Sequence, residues 1–484
     1  MDRIEAQSHL DQPKNKRAAW ACLFCDSPAT SYEHVFASAL GGRRMDPRIY
    51  CKKHNQALGP YIKAILEALQ FFNAQLNMIS DKRDEPLPVR MTSEGDGSEV
   101  LATASSIHPD VDISDLVANL SEGKHDLPLA TADQRELFKR LAKKAGWKVN
   151  VVGSTQTEFF IHCRLVAHPI FDSDDFFLAV IYMSLTFFAH YFRQQSRHQN
   201  FSGVKRLLRG GPAYAGRDLL SDVDLSDILT FVWPTPLQPA WPDQNPFEFG
   251  HTVAVCQLDG VVYGYVSFFG AVNYAVRLAE GIPGVDDAVL TFINPLESEQ
   301  PKEWESHRGA EYCFNPEHER ITADGVQKLI EGRLSDLVGR IVERQAKQRD
   351  EAFVSKVNAA RSEGQAAVMS AITSQLHRNR QVIFNSLLRL REYPAQLPLP
   401  GLDTYIIACG THDPSSGDGL SQEGALVMTA TLKALAEHVA LRVAFGALDV
   451  AFVTDILTGI TGQAILLTEV IRSFPSWLGR SASS

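Results

Sequence analysis

The sequence predicts an α+β protein: a small metal-stapled ββα module, a mixed middle region with antiparallel strands, and a helical C-terminal region. Three patterns lead to this prediction. Two closely spaced cysteine and histidine pairs lie near the N-terminus, alternating apolar residues flank Asp259-Gly260, and apolar residues recur at helical spacing after Thr322. The length of 484 residues suits about three domains. We expect these domains at residues 1–80, 81–320 and 321–484.

The middle region contains signals for both strands and helices. HTVAVCQL and VVYGYVSFF flank Asp259-Gly260, a dipeptide that favours a tight hairpin, and alternation from Val272 to Leu278 predicts a third strand. The run from Phe176 to Phe192 contains no Lys, Arg, Asp or Glu but is slightly short for a membrane span, so we expect a buried core helix. A Gly/Ser/Asp-rich break at residues 80–98 predicts a linker.

Composition excludes some classes of function. The formal net charge of −10 gives the whole chain no signature of nucleic-acid binding, so contact with a polyanion requires a local basic patch. Seven cysteines, of which only three cluster, do not resemble a disulfide framework. The N-terminal residues contain no apolar signal-peptide core, and charged residues interrupt the apolar C-terminal stretch. We therefore expect a cytoplasmic protein without a membrane span, whose C-terminal helices could form a homo-oligomer.

Two residue pairs predict a metal site near the N-terminus. Cys22 and Cys25 form a C-x-x-C pair, and Cys51 and His54 form a C-x-x-H pair. Their ligand types and spacing match a closed tetrahedral zinc site. Bound zinc would replace the hydrophobic core that a module this small cannot build. We therefore expect one structural Zn²⁺ on these four residues.

The residues between and beside these pairs predict a second kind of chemistry. Phosphodiester cleavage needs a base for the attacking water, a cation on the phosphate and a fixed geometry. Histidine is the commonest general base, and His34 lies between the two pairs. Glu33 and Asn55 supply oxygen donors for Mg²⁺ or Mn²⁺. Because successive strand side chains point to opposite faces, Glu33 and His34 need a strand end or bend to share one site.

These motifs carry a family resemblance. The segment from Cys22 to Gly59 resembles the zinc-containing branch of the HNH endonucleases, written C-x-x-C, E-H-I, L-G-G and C-x-x-C-N. The resemblance implies a ββα-metal fold, His34 as the general base, and Glu33 and Asn55 as ligands of the catalytic cation. It also implies hydrolysis of phosphodiester bonds, with DNA as the expected substrate. A role in defence against foreign DNA would rest on analogy alone.

The segment departs from the family pattern at several positions. His54 stands where the family has cysteine, a change that zinc tolerates. The middle asparagine is absent, and Asp46 falls near its position, so Asp46 is expected to take over its loop-stabilising role. Val35 replaces the usual isoleucine. The Asp46 difference is the one that bears on activity.

Local charge favours a nucleic-acid partner. Residues 1–64 have a net charge of +4 within a chain of −10. Five basic side chains between the predicted base and the last predicted ligand are expected to bind the phosphate backbone without reading sequence: Arg43, Arg44, Arg48, Lys52 and Lys53. Two alternatives stay open, namely a non-catalytic zinc module that binds nucleic acid or protein, and an oligomerising scaffold.

Overall fold

The computed structural model describes residues 20–78, 86, 88–94, 97–104, 107–121, 132–148, 165–167, 171, 173–210, 228–235, 245–296, 303–309, 323–392, 399–413, 416 and 419–481. Two compact units emerge from these residues. One contains the described residues within 1–89, 102–106 and 168–339, and the other contains those within 90–101, 107–167 and 340–484. The predicted α+β class, with antiparallel strands in the middle and helices toward the C-terminus, is confirmed. The three-domain division stays a prediction.

The described strands, in chain order, are β1 (Ser31–His34), β2 (Met45–Tyr50), β3 (Val89–Ser93), β4 (Glu99–Ala102), β5 (Ile107–Pro109), β6 (Leu165–Val166), β7 (Val232–Pro234), β8 (His251–Leu258), β9 (Val261–Phe268), β10 (Val272–Glu280), β11 (Asp287–Ile293) and β12 (Glu303–Gly309). The described helices are α1 (Lys52–Gln75), α2 (Ile113–Ala118), α3 (Ala132–Lys144), α4 (Asp174–Tyr191), α5 (Ser202–Gly210), α6 (Ala323–Ala360), α7 (Gln365–Arg378), α8 (Arg380–Glu392), α9 (Leu402–Cys409), α10 (Gln422–Phe445), α11 (Val450–Thr458) and α12 (Ile460–Ser481).

The first unit begins with a hairpin followed by a helix. Strands β1 and β2 pair antiparallel, with Glu33 opposite Asp46 and His34 opposite Met45, and α1 follows directly. Gly41 and Gly42 lie before β2 in this connection. Gly41 has a φ of 92°, and a Cβ on Gly42 would lie 2.2 Å from the carbonyl oxygen of Phe36. The turn therefore requires glycine at both positions.

A six-stranded antiparallel sheet forms the centre of this unit, in the order β12-β11-β8-β9-β10-β7. The predicted hairpin is confirmed: Leu258 pairs with Val261, and Asp259 and Gly260 both adopt positive φ, as a tight two-residue turn requires. The predicted third strand is β10, which pairs with β9. Alternating and continuous apolar residues leave both faces of β8 to β10 largely buried.

Helix α4 is the core helix that its composition predicts. Its N-cap Ser173 accepts a hydrogen bond from the Phe176 amide, and two aspartates in the first turn favour the positive end of the helix dipole. Every residue from Phe176 to Ala189 is buried, and the helix packs against α1 and strands β8 to β10. A Cβ on Gly264 would lie 2.7 Å from the Cβ of Ser184, so this glycine allows the close approach of α4 to β9.

The second unit contains a four-stranded sheet, in the order β5-β4-β3-β6. Strand β3 lies inside the segment predicted as a linker, so that prediction is wrong there. Val89, Met91 and Ser93 are buried alternately along it, a short period-two pattern that the surrounding polar residues obscure. Helices α2 and α3 pack together through Ile113, Val117, Phe138 and Ala142.

Helices from residue 340 onward share an apolar core that includes Phe353, Ile372, Tyr405, Val439 and Val470. Within the described residues, two stretches are long and apolar enough to cross a membrane: Gln422–Phe445 and Val450–Arg480, with 39% and 28% of their most apolar windows buried. The second is divided at Gly459 into α11 and α12. Thr322, after which the sequence predicts helices, lies outside the described residues.

Candidate metal centre and catalytic site

The two predicted ligand pairs come together. Residues 21–28 form a turn, called the knuckle below, that contains Cys22 and Cys25 and is closed by a β-bridge between Ala21 and Pro28. The Phe24 amide lies 3.5 Å from Cys22 Sγ, within donating distance. Cys51 is the N-cap of α1, and His54 lies in its first turn. Helix formation therefore brings the C-x-x-H pair to the knuckle.

The distances within this cluster fit one metal ion. Nδ1 of His54 lies 3.4 Å from Cys22 Sγ, 3.4 Å from Cys25 Sγ and 3.3 Å from Cys51 Sγ, and the Cys25 and Cys51 sulfurs are 3.9 Å apart. Tetrahedral zinc with ordinary bond lengths requires about 3.6 Å between nitrogen and sulfur and about 3.8 Å between sulfurs. All four donor atoms lie within 4.8 Å of one another. Cys22, Cys25, Cys51 and His54 could thus bind one metal ion.

Burial tunes the protonation of these ligands. It raises the pKa of the Cys22 thiol to about 11, so a bound cation must displace the proton. Burial also lowers the pKa of His54, aided by the nearby charges of Arg209 and Lys53, which keeps the imidazole neutral as a ligand must be. The Arg209 guanidinium lies over the Phe24 ring, 5.4 Å from its centroid, and donates to the Phe24 carbonyl.

The first prediction concerns metal content. Purified protein should contain one tightly bound metal ion per chain, and Cys51→Ser should lose it, because a hydroxyl is a poor replacement for a thiolate ligand. Elemental analysis measures the content, and limited proteolysis reports on residues 20–78. Cys409→Ala, a buried cysteine of α9, is the matched control and should retain the metal. A metal-free Cys51→Ser protein with an unchanged proteolysis pattern would show that the metal has no structural role.

The predicted catalytic residues lie at the end of the hairpin. Strand β1 ends at His34, and the chain bends at Val35 and Phe36, which supplies the strand end that a shared site requires. Nδ2 of Asn55 donates to Ser31 Oγ at 2.8 Å and to the Tyr32 carbonyl at 3.2 Å. These bonds join the first turn of α1 to the strand that carries the predicted base.

The oxygen donors of the predicted catalytic cation differ in their surroundings. Asn55 Oδ1 accepts no hydrogen bond from any residue that the structure describes. Glu33 Oε1 accepts a hydrogen bond from the hydroxyl of Tyr182 at 2.7 Å. Burial and the Glu33 charge raise the pKa of Tyr182 well above its usual value, so this tyrosine remains a hydrogen-bond donor. A carboxylate and an amide oxygen suit a hard divalent cation.

One face of α4 binds the hairpin through polar groups. Tyr182, Thr186 and His190 follow one another at four-residue spacing. They bond to Glu33, to the hydroxyl of Tyr50 at 2.8 Å and to Asp46 respectively. Sequence analysis assigned this helix to the core alone. The repeated four-residue spacing of polar groups in an apolar run was the available signal for the second face.

Asp46 accepts four hydrogen bonds at the site. Its buried carboxylate accepts hydrogen bonds from the amide and Nε of Arg48, both at 2.9 Å, and from His190 Nδ1 and Arg193, both at 2.8 Å. Burial raises its pKa, but the bonds from His190, Arg48 and Arg193 outweigh that effect and hold the pKa well below the usual range. Asp46 thus joins β2 to α4.

The predicted basic patch divides into two groups. Arg44 pairs with Glu303 (3.7 Å) and donates to the Tyr191 hydroxyl, while the Arg43 and Arg44 amides donate to the same glutamate. Arg48 is bound to Asp46, as described above. By contrast, Lys52 and Lys53 are exposed on the first turn of α1, beside Asn55. Glu303 was not predicted because it lies far away in sequence, on strand β12.

No family model, no curated protein and no solved structure matches this chain.

The second prediction concerns Asp46. Asp46→Asn should lower the free energy of unfolding by about 3 kcal/mol, because the amide places an N–H group among donors and leaves two arginines without their counterion. Urea denaturation measures the loss, and Asp449→Asn, an exposed N-cap of α11, is the matched control.

The pH dependence of the stabilisation by Asp46 follows from the direction of its pKa shift. Because the folded-state pKa of Asp46 lies below the usual aspartate value of about 3.9, the stabilisation is present above about pH 4 and decreases as the pH falls below it. The difference in unfolding free energy between wild type and Asp46→Asn should therefore become smaller as the pH falls below about 4. Equal stability of the two proteins at pH 7 would contradict the role assigned to Asp46.

Proposed function

We propose that the N-terminal part of this chain is a metal-dependent endonuclease of the HNH type, which hydrolyses phosphodiester bonds in DNA. One observation carries the proposal: a β-hairpin and the helix after it surround the Cys/His cluster, and Asn55 is hydrogen-bonded to the strand that ends in Glu33 and His34. This order of elements and residue types is the one that the family resemblance implies. The Cys/His cluster would hold structural zinc.

The proposed mechanism uses three side chains. His34 accepts a proton from a water molecule, whose oxygen forms a bond to phosphorus as the bond to the leaving oxygen breaks. Glu33 and Oδ1 of Asn55 would hold Mg²⁺ or Mn²⁺. That cation, when bound, stabilises negative charge on the phosphoryl and leaving oxygens. Tyr182 orients Glu33, and the bonds from Asn55 to Ser31 and Tyr32 orient its amide.

Electrostatics support a polyanionic substrate for this site. The exposed Lys52 and Lys53 lie in the same helical turn as Asn55, so a phosphate near Asn55 would be within reach of long basic side chains. Arg44 and Arg48 are bound to carboxylates within the protein. We therefore assign the sequence-independent phosphate contacts mainly to the two lysines. Their contribution should depend on salt.

The third prediction tests catalysis. His34→Ala should slow plasmid cleavage in Mg²⁺ or Mn²⁺ by about 10²- to 10⁴-fold, the usual effect of removing a general base. Metal content and DNA affinity should stay close to those of the wild type. The matched control is His377→Ala, an exposed histidine on α7, which should cut at the wild-type rate. Wild-type protein with full zinc content and no cleavage would favour the non-catalytic binding module.

The fourth prediction separates the two basic groups. In a His34→Ala background, replacing Lys52 and Lys53 with Gln should reduce the slope of log affinity against log salt by up to about two units on duplex DNA. Replacing Arg43 and Arg44 with Gln should change the slope less, because the Arg44 guanidinium pairs with Glu303 and Nη1 of Arg43 is buried. Fluorescence anisotropy on several unrelated duplexes measures both slopes. A larger change from the arginine pair would reverse this assignment.

A further inference from the structure

His190 has the geometry of an oriented imidazole. Its Nδ1 lies 2.8 Å from Oδ2 of the buried Asp46, so Nδ1 carries a proton and Nε2 is the remaining reactive nitrogen. The side chain is 16% exposed. Nε2 makes no hydrogen bond to any described residue and is not a buried atom, so it contacts solvent. A carboxylate that orients one imidazole nitrogen and leaves the other accessible is a recurrent arrangement for proton transfer.

The pair formed by His190 and Asp46 is connected to β1, the strand that carries Glu33 and His34. Asp46 lies directly opposite Glu33 in the hairpin, and paired residues in antiparallel strands have Cβ atoms about 5 Å apart. His34 follows Glu33. The imidazole of His190 is therefore bonded to the residue of β2 that faces Glu33 across the hairpin. The centroid of the Tyr191 ring lies 4.7 Å from that of the imidazole.

Structural stabilisation alone does not account for the histidine. Arg48 and Arg193 already donate three hydrogen bonds to the Asp46 carboxylate, and they neutralise its charge. An apolar residue at position 190 would extend the buried face of α4, in which every residue from Phe176 to Ala189 is buried. The imidazole instead combines a fixed orientation with a solvent-accessible nitrogen, two properties that a general acid requires.

We infer that His190 is the general acid of the proposed cleavage reaction, with Asp46 as its positioning residue. This inference rests on the proposed endonuclease function. His34 takes the proton of the attacking water as its oxygen bonds to phosphorus. As the bond from phosphorus to the leaving oxygen breaks, that oxygen keeps the electron pair of the bond. It accepts a proton from Nε2 of protonated His190. Solvent then reprotonates His190 and deprotonates His34, so one water is consumed.

The test compares two leaving atoms. A linkage that the wild-type protein cuts is identified in an end-labelled duplex, and a second duplex is made with sulfur as the bridging leaving atom at that linkage. Sulfur leaves readily as a thiolate and needs no proton, whereas an alkoxide oxygen does. His190→Asn is the variant, because its amide N–H can occupy the place of Nδ1 and keep the bond to Asp46. Arg193→Met is the matched control, since it disturbs the same carboxylate and keeps the imidazole.

His190→Asn should slow cleavage at the oxygen linkage by about 10²- to 10⁴-fold and at the sulfur linkage by less than about 10-fold. His34→Ala should slow both by similar factors, as should Arg193→Met to a smaller extent. Equal losses at both linkages for His190→Asn, or no loss at either, would overturn the inference. A wild-type protein that cuts no linkage would refute the endonuclease proposal itself.

Discussion

The buried carboxylate of Asp46 holds the candidate site together. An unpaired carboxylate at this depth would cost several kcal/mol, and breaking a buried ion pair commonly costs about 3–5 kcal/mol. Four donated hydrogen bonds from Arg48, His190 and Arg193 remove that penalty. They also make the position of the hairpin relative to α4 specific, since any slip would leave charges unpaired. Glu33 and His34 lie on the paired strand β1, so this contact also fixes their positions.

Helix α4 explains how so small a hairpin remains ordered. Its apolar residues pack on the six-stranded sheet, while Tyr182, Thr186 and His190 bind the hairpin. On the other side, the Cys/His cluster joins the knuckle to the start of α1. The hairpin is thus held between a candidate metal site and a helix that the sheet fixes. Side chains that are held on two sides are preoriented, as catalytic groups must be.

Sequence patterns predicted the parts of this arrangement that depend on local chemistry. Ligand spacing identified Cys22, Cys25, Cys51 and His54, and the Asp259-Gly260 dipeptide identified the hairpin of the sheet, because turn geometry and short ligand pairs are encoded within a few residues. Contacts across long sequence separations escaped. Glu303 binds Arg44 over more than 250 residues, and His190 binds Asp46 over 144. The ion pair between Arg48 and the buried Asp46 was likewise not predicted.

We propose that the end of the hairpin binds a catalytic divalent cation distinct from the metal of the Cys/His cluster. Anomalous diffraction from crystals of the protein soaked in Mn²⁺, recorded at the zinc and manganese edges, distinguishes the two sites. We expect a zinc peak among Cys22, Cys25, Cys51 and His54, and a separate manganese peak between Glu33 and Oδ1 of Asn55. A zinc peak at the cluster with no manganese at Glu33 and Asn55 would refute the second site.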